Sequence, residues 1–426
     1  MELTSTKYKQ TEVGLIPEDW EVKSMREITT LMTNGFVGTA TSHYSEEMDS
    51  VLYIQGYNVK ENSFNFHGIK HVSLEFHKKN KKSSLLDGDL LTVQTGDVGL
   101  TTIVPKELEG SNCHALIISR FNKKIANPWY FAQYFNSKQG RSRLKELETG
   151  TTMKHINVGE LVHWFVPLPP TLTEQKAIAT ALSDVDSLIS SLDKLIIKKK
   201  AIKQGAMQEL LTPPHQGGRR LPGFNGDWEE VVFTDICDLI HGHQFRTEDF
   251  NHNTEGIKVI KIGNVMPNKL ITEGCDSISS DRLEDFEQYK FKEGDILMSL
   301  TGNIGRVVRL KEVTEHLLQN YRVGKFVPKS GVSSAYLSIC LGSIKTTKQL
   351  EQLSNAGAQA NFGKQDFNKV SIAIPSNINE QESIAQILSD MDKEIESLEN
   401  KKTKYQEIKQ GMMQELLTGK TRLIWN

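Results

Sequence analysis

The chain contains few cysteines and no long apolar run. Its four cysteines, among 426 residues, are widely separated and form no C-x-x-C pair, which excludes a zinc ribbon and a disulfide scaffold. No stretch reaches the roughly 18 consecutive apolar residues that a transmembrane helix needs. The first residues, MELTSTKYKQTE, are polar and lack the apolar core of a signal peptide. We therefore expect a reduced cytoplasmic protein with no membrane association.

An excess of charge of one sign is also absent. Lys+Arg number 51 and Asp+Glu number 53, so the formal net charge is -2. A nucleic-acid-binding surface would therefore have to be a local basic patch. Hydrophobic residues make up 38% of the chain, which provides enough material for cores in two or three domains.

Sequence motifs of common enzyme classes are missing. There is no Walker loop, no HExxH, no GxSxG, no Rossmann fingerprint and no Asn/Asp-Pro-Pro-aromatic tetrapeptide of an amino-methyltransferase. His241-Gly242-His243 lacks a third metal ligand, so no metal site is predicted. The sequence favours a binding module without catalytic residues of its own.

The strongest pattern is an internal repeat. IKQGAMQELLT at 202–212 recurs as IKQGMMQELLT at 408–418, and residues 172–212 match 378–418 at 22 of 41 positions without a gap. More distant landmarks keep a similar spacing, since Asp-Trp-Glu at 19–21 corresponds to Asp-Trp-Glu at 227–229. The chain is therefore a tandem duplication, in which two divergent domains alternate with two closely similar segments.

Each similar segment is predicted to be one long helix. Thr171 and Glu174 form a capping-box pattern directly after a proline pair, which cannot continue a helix from upstream. Apolar residues then recur at alternating spacings of four and three, which is typical of a coiled-coil seam. The phase shifts after a lysine run and resumes at Ile202. The predicted seam residues are Ile178, Leu182, Val185, Ile189, Leu192, Ile196, Ile384, Leu388, Met391, Ile395 and Leu398.

An apolar stripe along a helix of roughly 40 residues, about 60 Å long, needs a partner of similar length. The linker 213–222 is short and rich in proline and glycine. We therefore expect the second helix to return antiparallel along the first, with the two domains related by a pseudo-twofold axis. A trimeric or partner-filled coil is the alternative.

Glycine interrupts both helical segments at equivalent places, Gly205 and Gly411. Each costs about 1 kcal/mol relative to alanine in a helix interior. Their recurrence predicts a close backbone approach, either between the two helices or to a partner protein. A relic of the duplication is the alternative.

The two divergent domains are predicted to be α+β. Short β-rich runs, such as 51–54 and 296–298, do not alternate regularly with helices, which argues against a βαβ fold. A helix is expected over 128–147.

Both domains place a TGxxG turn after a predicted strand, at 95–99 and 301–305. The Lys-Ser/Thr ending of a phosphate-binding loop is missing. Side chains in and near these turns differ between the domains, as reading two different DNA sequences would require, and Asn, Gln and Arg can pair with base edges. Simple hairpin turns are the alternative. The candidate DNA-contacting residues are Thr95, Asp97, Lys154, His155, Asn157, Thr301, Asn303, Arg306, Asn320, Arg322, Gln359 and Asn361.

The opening YKQTEVGLIPEDWEV, the DGD and EGD strands, the segments that start with Glu-Gln and the IKQGxMQELLTGK ending together resemble the specificity subunit of type I restriction–modification systems. The resemblance spans essentially the whole chain. It implies that two target-recognition domains each read one half of a bipartite, asymmetric double-stranded DNA target. It also implies that the coiled coil sets the half-site spacing and docks two modification (methyltransferase) subunits, which restriction (translocase/nuclease) subunits join in the complex.

On this resemblance the chain itself binds no cofactor, and S-adenosylmethionine, ATP and Mg belong to the partner subunits. The first segment departs from the pattern in ending Thr-Pro-Pro where the second has Thr-Gly-Lys, which alters only the linker. A coiled-coil adaptor that binds two partners without DNA contact is the alternative function. The predicted layout is an N-terminal arm (1–15), the first target-recognition domain (16–170), the first coil helix (171–212), the linker (213–222), the second target-recognition domain (223–376), the second coil helix (377–420) and a tail (421–426).

Overall fold

The computed structural model describes residues 7–150, 154–251, 256–302, 304–354 and 362–423. The chain divides into two compact units, one formed by residues 1–194 and 400–426 and the other by residues 195–399. Two long helices, the first coil helix Leu172–Leu210 and the second coil helix Ile378–Leu416, each contribute to both units. Within the described ranges, no helix is long and apolar enough to span a membrane.

The domain of the first unit contains two small sheets, several strand pairs and short helices. Its antiparallel four-stranded sheet has the order Thr101–Ile103, Leu90–Val93, Leu116–Phe121 and Thr29–Asn34. Its three-stranded sheet has the order Asn112–Cys113, Val51–Ile54 and Lys70–Val72. Other strands pair as Tyr8–Thr11 with Gly14–Pro17, Glu21–Ser24 with Phe165–Leu168, Val59–Lys60 with Ser63–Phe64, and Glu148–Thr149 with His155–Ile156. Its helices are Met25–Ile28, Leu74–Lys79, Pro128–Asn136, Lys138–Glu146 and Val158–Leu161.

The domain of the second unit repeats this plan. Its antiparallel four-stranded sheet has the order Val307–Arg309, Ile296–Ser299, Val323–Pro328 and Cys237–His241. Its three-stranded sheet has the order Ser277–Ile278, Ile257–Ile260 and Leu317–Gln319. Other strands pair as Trp228–Val232 with Ser371–Pro375 and Val265–Met266 with Lys269–Leu270. Its helices are Phe233–Ile236, Ser334–Leu341, Ile344–Ser354 and Lys364–Phe367.

The helix expected over 128–147 is two helices, because Ser137 breaks it. Ser137 is extended, with a ψ of 157°, and its side chain accepts a hydrogen bond from the amide of Gly140, which starts the next helix. A Cβ on Gly140 would lie 2.0 Å from the carbonyl oxygen of Tyr134, so only glycine fits this corner.

In each unit the domain and the coil share one hydrophobic core. In the first unit Trp20 and Tyr130 lie in the same buried cluster as Ile178 and Leu182 of the first coil helix and Met413 of the second. The second unit is built likewise, with aromatic residues of its domain packed with Ile384, Leu388 and Leu210. Burial of the apolar stripes therefore attaches each domain to the coil as well as joining the helices.

The two coil helices run antiparallel in both units, as their ion pairs show. In the first unit the pairs are Asp186 with Lys409 and Asp193 with Lys402, each with an N–O distance of 2.6 Å. As the residue number rises along the first coil helix, the number of the paired lysine on the second coil helix falls, as it must in an antiparallel pair. In the second unit the pairs are Lys199 with Glu394, Lys200 with Glu399 and Lys203 with Asp392. The predicted α+β class, with tandem mixed domains and two long helices packed antiparallel, is confirmed.

The structure buries most of the predicted seam residues. The buried ones are Ile178, Leu182, Leu192, Ile196, Ile384, Leu388 and Ile395. Val185, Ile189, Met391 and Leu398 are half-buried. The expectation for Ile202 is wrong, since its side chain is 46% exposed. Lys203, one position on, faces the other helix instead and pairs with Asp392.

The Glu-Gln pair that opens each coil helix attaches the helix to its own unit. Gln175 Nε2 donates to the carbonyls of Ile125 and Pro169, and its Oε1 accepts from the amide of Asn127. Gln381 makes the equivalent three bonds, to Gly331, Pro375 and Ser333. Because the amide nitrogen and the amide oxygen of this buried glutamine are both hydrogen-bonded, it fixes the helix start against a loop and a strand end of the domain.

The capping box predicted at Thr171 forms only in part. The amide of Glu174 donates to the Thr171 hydroxyl at 3.2 Å, as expected. The Glu174 carboxylate, however, does not return to the helix start, because it pairs with the guanidinium of Arg422, which also binds Asp19. The hydrogen bond from Arg422 holds the pKa of the Asp19 carboxyl below its usual value. Glu380 is the counterpart of Glu174 in the second unit and pairs with Arg220 at 2.8 Å.

Gly205 and Gly411 do not mark a close approach between the helices. Both lie on exposed faces, and a Cβ built at either position would have no described atom within 4 Å outside its own helix backbone. The part of the prediction that placed these glycines against the other helix is therefore wrong. The two remaining explanations of the glycines are contact with a partner protein and a relic of the duplication.

Candidate nucleic-acid interface

The first glycine turn, residues 95–99, connects two antiparallel strands of the four-stranded sheet. Gly96 and Gly99 have φ values of 89° and 79°, a conformation that glycine adopts without strain. The amide of Gly99 donates to the carbonyl of Val93, which closes the turn. Thr95 and Asp97 are exposed on it, and Lys60 Nζ lies 3.8 Å from the Asp97 carboxylate.

Two other candidates of the first domain lie beside this turn. Thr95 forms an isolated antiparallel bridge with His155, and the amide of Ile156 donates to the carbonyl of Gln94 at 3.1 Å. Lys154 is exposed and lies 3.3 Å from the carboxylate of Glu148. The loop that carries Lys154 and His155 and the first glycine turn therefore share one edge of the domain.

The side chains on this edge are held by a local polar network. Thr149 Oγ1 accepts a hydrogen bond from Asn157 Nδ2 at 3.3 Å and lies 3.4 Å from His155 Nε2. These bonds order the loop without removing it from the surface, because Asn157 and Thr149 are exposed. Such an edge offers donors and acceptors in fixed positions, as recognition of base edges requires.

The second glycine turn, residues 301–305, has the same frame. Gly302 and Gly305 have φ values of 71° and 82°, and the amide of Ser299 donates to the carbonyl of Arg306 as the strand leaves the turn. Arg306 is half-buried, with Nη1 3.2 Å from Met266 Sδ. The Oγ1 of Thr301 is buried and has no hydrogen-bond partner among the described residues.

Arg322 lies beside the second turn and is exposed, whereas Asn320 is buried. The amide of Leu300 donates to the carbonyl of Arg322, whose exposed guanidinium lies 5.1 Å from the Tyr321 ring centroid. Asn320 is only 7% exposed, and its Oδ1 lies 3.4 Å from the amide of Arg322 within their own turn. As placed, Asn320 is buried and its side chain orders the loop that carries Arg322, and its contact with a base stays a prediction.

Three predicted residues, Asn303, Gln359 and Asn361, lie outside the described ranges. Phe362, the first described residue after position 361, donates its amide hydrogen bond to the carbonyl of Leu300 beside the second glycine turn at 3.2 Å. This bond is the counterpart of that between Ile156 and Gln94 in the first domain.

A further basic residue, outside the set of candidate base contacts, lies at the first glycine turn. Arg141 lies under the first glycine turn, where a Cβ on Gly99 would be 3.5 Å from its Nη1. That Nη1 is buried and has no hydrogen-bond partner among the described residues. Its contact with the turn is a tertiary feature that the sequence does not reveal.

The comparisons with known proteins agree on one family. The sequence profile of the type I restriction modification DNA specificity domain matches residues 17–201 and 225–410, one match in each half of the chain. The MjaVIII type I restriction enzyme specificity subunit of Methanocaldococcus jannaschii is 27% identical, with 98% of this chain and 96% of that protein aligned. The EcoBI specificity subunit of Escherichia coli is 23% identical over 94% of this chain and 90% of its own length.

Solved structures share the fold. The S subunit of a type I restriction–modification system from M. genitalium matches with a TM-score of 0.61 at 12% identity, over 93% of this chain and 96% of that one. A chain from a study of complex assembly and conformational transition in the type I system gives a TM-score of 0.56 at 15% identity, over 95% and 99%. With two matched domains that cover most of its length, this chain belongs to the type I restriction modification DNA specificity domain family.

Proposed function

We propose that this chain is the DNA sequence-recognition subunit of a type I restriction–modification complex, with no catalysis of its own. Each domain reads one half of a bipartite, asymmetric double-stranded target, and the coiled coil sets the distance between the half-sites. The observation that carries the proposal is that both domains present a glycine turn on the same frame with different side chains. Leu100 follows the first turn where Arg306 follows the second, so the two domains can read different bases.

The partners in this proposal are two modification subunits, which dock on the coil, and restriction subunits, which join through the complex in the cytoplasm. S-adenosylmethionine, ATP and Mg are bound by those partners. Such a complex acts on chromosomal DNA, so the bases that it methylates report the sequence read by this chain. Methylome sequencing of cells that express the chain with its modification partner is the direct test. A single contiguous motif, or no motif, would contradict the proposal.

The adaptor alternative makes a different prediction for DNA binding. A DNA-reading complex should bind its target with an affinity that falls steeply as salt rises, because lysine and arginine contacts to phosphates release counterions. An adaptor without DNA contact should assemble with its partners and show no such binding. Gel-shift titration of the complete complex at two salt concentrations separates the two functions.

Arg322→Ala, and separately Arg306→Ala, should weaken the reading of one half-site only. An arginine that pairs bidentately with a guanine contributes about 1–3 kcal/mol of discrimination, so methylation at that position should fall about fivefold or more or become less selective. Melting temperature should not change with Arg322→Ala, since its side chain is exposed.

Arg309→Ala is the matched control, because Arg309 lies at the far end of the strand that leaves the second glycine turn. It should leave the methylated sequence unaltered. If Arg306→Ala and Arg322→Ala also methylate the original sequence at the normal rate, the second glycine turn is a hairpin without a reading role.

Replacing the exposed glycines of the coil helices should raise the stability of the chain and weaken its assembly with partners. Replacing Gly205 and Gly411 by alanine should stabilise the isolated chain by up to about 1 kcal/mol each, because both are in helix interiors with open space around them. If the modification subunits pack closely on these faces, the same double variant should assemble more weakly with them. Thermal melting and a pull-down titration measure the two effects, and unimpaired assembly would place the docking surface elsewhere on the coil.

A further inference from the structure

The repeat places the same three polar side chains between domain and coil in both units. In the first unit Asn62 Nδ2 donates to Asp186 of the first coil helix at 3.3 Å, and the same carboxylate pairs with Lys409 of the second coil helix. In the second unit Asn268 Nδ2 donates to Asp392 at 3.2 Å, and that carboxylate pairs with Lys203. We call each Asn–Asp–Lys set a junction.

Each junction asparagine lies at the tip of a two-residue β-hairpin in the left-handed conformation. The φ value of Asn62 is 49° and that of Asn268 is 59°. Asparagine and glycine are the residues that adopt this conformation most readily in such turns. The left-handed backbone closes the tip, and the hydrogen bonds to Asp186 and Asp392 direct the asparagine amides at the coil.

The junction is linked to the glycine turn by one backbone hydrogen bond. The amide of Asn62 donates to the carbonyl of Thr101 at 3.0 Å, and the amide of Asn268 donates to that of Val307 at 2.9 Å. Thr101 and Val307 begin the strands that leave the first and second glycine turns. A short, rigid path therefore runs from each turn to a carboxylate on the coil.

Besides the shared hydrophobic core, the junction is a second polar attachment of each domain to the coil. The first is the Glu-Gln pair at the helix start, where Gln175 and Gln381 bind their domains. Asp186 and Asp392 lie about three helical turns further on, a distance of roughly 17 Å at 1.5 Å per residue. Because the apolar contacts of the core are non-directional, two polar attachments separated along the helix restrict the angle of the domain more than one would.

We propose that the two junctions are positioning elements that fix the angle of each glycine turn on the coil, and thereby set how strictly the complex measures the spacer between its half-sites. This inference rests on the proposed function and assigns no base contact to the junction residues. Asn62, Asp186 and Lys409 hold the first domain, and their counterparts hold the second.

The two junctions differ in strength, which makes the second the better one to test. In the first unit Gln133 Nε2 also donates to Asp186 at 3.0 Å, and Asn136 donates to Asn62 at 2.8 Å. Asn268 is exposed and binds Asp392 without such added donors among the described residues. A single substitution at Asn268 should therefore release the second junction.

Asn268→Asp is the test variant, because aspartate has the same shape, tolerates the left-handed conformation and sets a second carboxylate against Asp392. Adding Asp392→Asn to it restores one amide and one carboxylate across the junction. Lys269→Ala, one residue beyond the tip on the exposed hairpin strand, is the control.

The complete complex, with its target first established by methylome mapping, is given DNA that carries both half-sites with the native spacer or one base pair shorter or longer. The wild type and Lys269→Ala should methylate only the native spacer efficiently. Asn268→Asp should lower the preference for the native spacer about tenfold, the factor that corresponds to one lost charge-assisted hydrogen bond. The bases read within each half-site should stay the same, and the double variant should regain the strict spacing.

Unchanged spacer preference in Asn268→Asp would overturn the inference, and so would equal loss of methylation on all three spacers in a complex that assembles normally. Absence of any bipartite mark with the wild-type complex would instead contradict the proposed function. Thermal melting shows whether a variant has unfolded, and a substitution at an exposed hairpin tip should change the melting temperature little. A residue with a purely structural role would not alter the spacer preference.

Discussion

Leu192→Asp is expected to lower the free energy of unfolding by about 4 kcal/mol, because it places a charge in a buried apolar seam. Leu192 is only 6% exposed between the coil helices. The substitution removes buried apolar contacts and places a carboxylate at a buried position. Melting temperature should fall by roughly 10 °C, as a loss of this size implies for a unit of about 200 residues.

Leu188→Asp is the matched control, because Leu188 lies on the same helix and in the same unit but is 37% exposed. It should cost about 1 kcal/mol or less. Assembly with the modification subunit should suffer in Leu192→Asp only, since that partner is proposed to need the intact coil. Equal melting curves for Leu192→Asp and the wild type would place Leu192 outside the seam.

Lys409→Met should lower the free energy of unfolding by about 3 kcal/mol, because it leaves two carboxylates near the coil without their counter-charge. The Lys409 side chain is 6% exposed and pairs with Asp186 at 2.6 Å and with Glu61 at 2.8 Å. Methionine keeps most of the buried aliphatic length, so the loss reports the ammonium group rather than a cavity.

Lys203→Met in the second unit is the control for this effect. Lys203 is 17% exposed and pairs with one carboxylate, that of Asp392. The cost should be about half as large, since a more solvated pair with a single partner contributes less. If both variants lose the same stability, the extra carboxylate of Glu61 contributes nothing measurable.

The effect of Lys409 should also depend on pH in the alkaline range. Burial lowers its pKa, but the hydrogen bonds to Asp186 and Glu61 outweigh burial, and the net result is a pKa above the usual 10.5. A raised pKa in the folded state contributes stability that is complete below pH 10.5 and is lost as the pH rises through the raised value. Urea melts should therefore show a constant difference between wild type and Lys409→Met from about pH 7 to 9 and a smaller one above that range.

Periodic features were readable from the sequence because they depend on local spacing. The four-and-three spacing of apolar residues predicts one face of a long helix, and Ile178, Leu182, Ile384 and Leu388 are buried where that face lies. The repeated QELLT ending also made the duplication visible. The prediction failed where the apolar pattern lost its phase, because Ile202, which was expected in the seam, is exposed.

Local capping chemistry was a weaker guide wherever a distant group competed. Glu174 has the spacing of a capping box, yet its carboxylate binds Arg422, which lies far away in the sequence. A charged guanidinium is a stronger partner than a backbone amide, so the tertiary contact prevails. Ser137 likewise ends a helix that composition alone would continue to Leu147.

The sequence alone therefore determined the tandem plan, the α+β class and the two long helices, because repeats and helical faces are encoded in residue spacing. Only the tertiary structure decided that Asp186 and Asp392 each accept a hydrogen bond from an asparagine at a hairpin tip. It also decided that Asn320 is buried and that Arg141 lies under the first glycine turn. Those contacts join residues far apart in the chain. Their partners depend on how sheets, turns and helices pack in three dimensions, and no local spacing records that arrangement.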